Sequence, residues 1–124
     1  MKLQVQAQTL RFRIDEAELA VLLAEGQAGS RTVLPQGAAF ELVIKLDASA
    51  APTLDVAPGV WRLVLPRDAV VAYVDTLPCR EGLAFELPLE AGDQRLTLAF
   101  EVDVRDSVRA RGVIRRSGNP TRPT

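Results

Sequence analysis

Leu10-Arg11-Phe12-Arg13-Ile14-Asp15-Glu16-Ala17-Glu18 and Val60-Trp61-Arg62-Leu63-Val64-Leu65-Pro66-Arg67-Asp68-Ala69 carry the same instruction twice. Each begins with a strand in which every second residue is apolar, and each runs without a linker into a helix start. Aligning Leu10 with Trp61 superposes the two junctions, and each is followed by a hairpin containing the string Ala-Phe-Glu. If the match is a duplication, it predicts two strand-helix-hairpin units related by a pseudo-two-fold axis around one core.

Working outward from the first junction, Leu3, Val5 and Ala7 alternate in one register and Leu10, Phe12 and Ile14 in the other. The inward face therefore switches near Gln8-Thr9, which calls for a tight turn between two short strands. Asp15 can cap the first helix by accepting an orphan backbone N–H, and Glu18 can return the bond in a capping box. Gly26 supplies the left-handed residue that ends the helix. Ser30 to Leu34 reads as a short strand closed by Pro35-Gln36-Gly37, and Phe40 to Leu46 as a longer one. Leu54 and Val56 mark a weak strand before the turn at Pro58-Gly59. Pro66 suits the first position of a second, short helix. Leu83 to Leu89 and Arg95 to Val104 form the clearest hairpin.

These elements predict an α+β domain over residues 1–104, with a mostly antiparallel curved sheet of about seven to nine strands and two short helices packed against its concave side or closing its ends. A chain of 124 residues with 48% hydrophobic and 25% charged content suits one such core. The net charge of -1 conceals an asymmetry. Residues 1–104 hold 9 Lys and Arg against 15 Asp and Glu, while residues 105–124 hold 6 Arg against Asp106 alone. The basic end has too little apolar content to order itself and is expected to be a flexible tail.

Composition also removes function classes. The chain has no histidine, which eliminates imidazole bases, the commonest transition-metal ligand and the triads built on it. Cys79 is the single cysteine, so neither an internal disulfide nor a paired-cysteine zinc site can form. No phosphate loop is present, and no apolar run is long enough to cross a bilayer. The alternating start lacks the apolar stretch of a secretory signal, so a cytoplasmic protein is expected. No catalytic residue, metal or cofactor is assigned.

The candidate contact residues are cationic. Arg11, Arg13 and Arg62 lie at outward strand positions, as do Glu41, Glu86, Glu101 and Asp103 on other strands. In a cupped sheet the two sets would line one polar cavity, where arginine forks grip a carboxylate or phosphate. On a flat sheet they would form cross-strand salt bridges. Trp61 beside Arg62, joined by Tyr73, is a weaker candidate for stacking a flat ligand. Arg109, Arg111, Arg115 and Arg116 are the tail's candidate contacts, with nucleic acid as the less favoured partner because the acidic body repels phosphate. The favoured function is a non-enzymatic binding or adaptor protein for a protein or small acidic molecule. The alternative is a carboxylate-dependent hydrolase or phosphate-handling enzyme in a polar cup.

Lys2-Leu3-Gln4-Val5, the Leu10-Arg11-Phe12-Arg13-Ile14 strand, the helix ending in Gly26, Leu65-Pro66 and Asn119-Pro120 together resemble a family of small bacterial proteins of unknown function. The resemblance implies a strand-turn-strand-helix start and no mechanism. The chain departs from that family at Ala7-Gln8, where a Gly-Asn turn is usual, and in its arginine-rich end. Triphosphate-tunnel enzymes need alternating glutamates on an entry strand, where this chain has Lys2, Gln4 and Gln6.

Overall fold

The polar residues that alternate with apolar ones in Thr9–Asp15 and Val60–Pro66 turn outward because both strands lie over the same core, from opposite sides. The computed structural model describes residues 1–79, 81–90 and 92–104. Its elements run β1 (Lys2–Gln6), β2 (Thr9–Asp15), α1 (Glu16–Glu25), β3 (Gln27–Val33), β4 (Ala39–Asp47), β5 (Thr53–Ala57), β6 (Val60–Pro66), α2 (Arg67–Val74), β7 (Leu83–Pro88) and β8 (Arg95–Asp103).

These eight strands form two mixed sheets of four, ordered β1-β2-β8-β7 and β3-β4-β6-β5, which corrects the expectation of one mostly antiparallel curved sheet. Each sheet has a parallel pair at its centre, β2 with β8 and β4 with β6, flanked by antiparallel hairpin partners. The reason is that each helix carries the chain from one sheet to the other. The two hairpins of each half are thereby separated, and their inner strands pair across halves.

The inward residues meet in one cluster. Phe12, Ile14, Leu98 and Phe100 from the first sheet and Ile44, Leu63 and Leu65 from the second are fully buried, with Leu22 of α1 and Val70 of α2 among them. Burial of each such side chain is worth about 1.5–3 kcal/mol relative to exposure. Both helices leave from the C-terminal ends of central strands, and in each sheet the hairpin partners of those strands turn back at the strands' N-terminal end.

The two halves repeat in register as well as in order. Moving Thr9 onto Val60 carries Asp15 onto Pro66, and the pair Thr9–Thr97 then falls on Val60–Glu41. Thr97 N–H donates to the Gln8 carbonyl at 2.9 Å, and Glu41 N–H to the equivalent Gly59 carbonyl at 2.8 Å. The Ala-Phe-Glu strings are not equivalent, since Ala39-Phe40-Glu41 overlies Arg95-Leu96-Thr97. The repeat resides in backbone pairing, which many sequences satisfy.

Local chemistry explains the helix ends. Asp15 Oδ1 accepts from Glu18 N–H at 2.7 Å and Glu18 Oε1 accepts from Asp15 N–H at 3.0 Å, completing the capping box. Gly26 ends α1 at φ 82°, a backbone state that favours glycine, and the chain enters β3 at once. β3 consequently begins at Gln27 and not near Ser30. Pro66 is the N-cap of α2 and not its first helical residue, because it is still paired in β6 opposite Asp47. Among the described residues no helix is long and apolar enough to cross a membrane.

Candidate functional site

The outward arginines do not share a cup. Arg11 and Arg13 lie on the outer face of the β1-β2-β8-β7 sheet, and Arg62 lies on the outer face of the other sheet, on the far side of the core. Glu41 accompanies Arg62 on its face, while Glu86, Glu101 and Asp103 share the first. The shared polar cavity that a cupped sheet would give these residues is therefore not formed, because inward alternation commits the two outer faces to opposite sides.

A smaller convergence occurs on the first sheet. Parallel register sets Arg13 opposite Glu101 and Arg11 opposite Ala99, so the carboxylate of Glu101 lies within reach of both arginines. Arg13 donates to Glu101 Oε1 from Nη2 at 2.8 Å and from Nε at 3.2 Å. Arg11 Nε is shut off from solvent and lies 3.1 Å from Glu101 Oε2, an ion pair without hydrogen-bond alignment. The pairs are worth about 0–1 kcal/mol each, since both arginines are two-fifths exposed. Their consequence is positional: one carboxylate holds two long, otherwise mobile cations.

Gly82 makes room for that carboxylate. A Cβ there would stand 2.6 Å from Glu101 Cγ and 2.9 Å from the Phe100 carbonyl oxygen. Beside the arginines a recess of about 380 Å³ is lined by Lys2, Leu3, Gln4, Arg11 and Arg13. Antiparallel pairing places Lys2 opposite Arg13 and Gln4 opposite Arg11 on the same face. Three cations thus line the recess, and the one carboxylate beside them, Glu101, holds two of the three, a lining that suits an anion.

Lys2 and Gln4 were not among the candidate contacts read from sequence. Their shared alternation was visible, but their neighbours depend on the turn at Ala7-Gln8. Gly82 carried no sequence signal, because its role exists only across the β7–β8 pairing.

The other candidates separate. Trp61 packs edge-on against Phe40 with ring centroids 5.9 Å apart, whereas Arg62 points to the opposite face, so the two cannot sandwich a ligand. Tyr73 is buried against Phe100, and its hydroxyl accepts from Val102 N–H at 3.3 Å. Burial raises the Tyr73 pKa above its ordinary 10.0, opposed by the bond from Val102. Cys79 is exposed. Arg109, Arg111, Arg115 and Arg116 lie outside the described residues, as does the proposed tail.

A second groove, of about 360 Å³, lies between α1 and the exit of α2, lined mainly by Leu19, Leu23, Val74, Leu77 and Val104. It lacks a cationic side chain. Among the described residues no group of three or more His, Cys, Asp or Glu side chains converges.

In comparison with known proteins, no family model, curated protein or solved structure matches the chain.

Proposed function

We propose that this is a non-enzymatic binding protein that takes an acidic group, from a protein or a small molecule, in the recess beside Arg11 and Arg13. The observation that carries the reading is the recess lined by Lys2, Arg11 and Arg13, with both arginines held from behind by the carboxylate of Glu101. Glu101 orients the guanidinium planes before a ligand arrives, which lowers the ordering cost of binding. Its one negative charge leaves the cluster net positive. A cytosolic setting and kinship with the family of small bacterial proteins that the chain resembles belong to the same proposal. The kinship rests on the strand, turn, strand and capped-helix start.

A thermal-shift series with citrate, inorganic phosphate and phosphorylated metabolites tests the reading. A ligand that binds the native state raises the melting temperature as its concentration exceeds Kd. Arg11→Ala and Arg13→Ala should each abolish the rise, and Arg62→Ala should leave it intact. Equal loss in all three variants, or no shift with any anion, would refute the site.

A further inference from the structure

We propose that the acidic group arrives on an extended peptide that adds to the free edge of β1 as a ninth strand. This deepens the binding reading above by naming the partner as a segment alternating carboxylate and apolar side chains. β1 ends its sheet, with β2 as its single strand partner among the described residues. Its two-residue turn makes Gln6–Thr9 the closing hydrogen-bonded pair, so Gln4–Arg11 and Lys2–Arg13 are the next such pairs. The N–H and C=O groups of Leu3 and Val5, which fall between, therefore face the open edge.

Exposed edges are usually blunted by proline, charge or a covering helix. Two of the other three edges show such devices. β7 ends in Pro88 and carries Glu86, and β5 lies between Pro52 and Pro58 and carries Asp55, while β3 carries Gly29, which weakens a strand, and Arg31, which pairs in register with Glu41. Lys2–Gln6 contains no proline, glycine or carboxylate, and its one charge is the cation beside the recess. Among the described residues nothing covers this edge, which is selective by charge.

Period-two alternation sets the rest of the pattern. Peptide residues on the outer face come beside Lys2 and Gln4, where a glutamate reaches the recess. Residues on the other face meet Val5, which is 63% exposed although it belongs to the apolar set of its strand. Backbone pairing supplies affinity, and the two faces supply selectivity, as in other β-augmentation. A second copy of this chain is a poorer occupant, since pairing β1 with β1 brings two cationic faces together.

The test uses the full chain and a capped heptapeptide alternating Glu and Val, with a Lys and Val counterpart as control. Binding by fluorescence anisotropy should favour the acidic peptide at least tenfold. Val5→Pro removes an edge donor without touching the β1–β2 ladder, and it should weaken the acidic peptide at least tenfold while citrate binding at the recess persists. Should Val5→Pro fail to fold, amide exchange at Leu3 and Val5 decides, with slowing on peptide addition expected. Unchanged peptide affinity in folded Val5→Pro, or unchanged exchange, overturns strand addition while leaving the recess standing. Loss of both peptide and citrate binding in Arg13→Ala, with Val5→Pro silent, has the same meaning. A concentration-dependent dimer abolished by Val5→Pro would assign the edge to a second copy and also overturn the proposal.

Discussion

The two halves of the molecule share a backbone plan and differ in nearly everything attached to it. Leu46 and Val102 occupy equivalent positions at the ends of β4 and β8, and each has a backbone N–H beyond the reach of the hairpin partner. In the first half the Gly26 carbonyl accepts from Leu46 at 2.8 Å; in the second, the Tyr73 hydroxyl accepts from Val102. The difference follows from the helix exits. α1 turns into β3 through Gly26 alone, while α2 is followed by a longer connection before β7 begins, and among the described residues the Tyr73 hydroxyl is the partner that Val102 N–H finds. A buried polar group must be paired, and a side chain takes over where the loop withdraws.

The outer faces diverge further. Arg11 corresponds to Arg62, but Arg13 corresponds to Val64, Glu101 to Lys45 and Lys2 to Thr53. The anchored pair of arginines therefore exists once. Symmetry governs the core because both halves bury against each other, and it lapses on the surface, where nothing enforces it.

The sharpest way to break the comparison is to truncate equivalent core residues. Ile14→Ala and Leu65→Ala should each cost about 2–5 kcal/mol in denaturant unfolding. A variant near zero would show that its half contributes little to the shared core. The helix starts should part company next: Asp15→Ala loses the bond from Glu18 N–H to the Asp15 carboxylate, at about 1 kcal/mol, while the residue-15 N–H keeps Glu18 Oε1 as its acceptor. Pro66→Ala, at a cap with no side-chain hydrogen bond, should stay within about 0.5 kcal/mol.

Tyr73 sharpens the contrast through pH. Its folded pKa lies above 10.0, so the unfolded chain gives up the phenolic proton first and stability falls as pH rises past about 10. Tyr73→Phe should flatten that fall, while losing about 1 kcal/mol at neutral pH for the bond to Val102. Alkaline melting curves of the two proteins would check both.

Gly82→Ala should displace Glu101 and weaken anion binding severalfold, read by the citrate titration, and should also cost stability, because the new Cβ meets the Phe100 carbonyl of the backbone as well as the Glu101 side chain. The smallest effect belongs to Asp47, whose carboxyl is held below its ordinary 3.8 chiefly by the Ser49 hydroxyl and then by the Ser49 N–H at 2.9 Å. That stabilisation is present above pH 3.8 and is lost as pH falls through the lowered value. Ser49→Ala should remove the larger part of the difference while the backbone N–H keeps its bond, visible as a partly raised Asp47 titration midpoint by NMR.

Much of this was legible in local pattern. Alternation at Leu10, Phe12 and Ile14 and at Leu96, Leu98 and Phe100 placed the inward faces, and Asp15, Glu18 and Gly26 marked the limits of α1. Each signal depends on neighbours within a turn or a strand. The Ala-Phe-Glu strings misled because they match in letters and not in pairing.

By itself, the sequence determined the eight strand-forming segments, the two helices, the inward residues and the absence of imidazole chemistry, since these follow from periodicity, caps and composition. Tertiary structure alone decided that β2 lies parallel to β8 and β4 to β6, and hence that Arg11 and Arg13 meet Glu101 while Arg62 does not. Those partners are far apart in the chain, and alternation specifies which face is buried without specifying which strand will lie alongside.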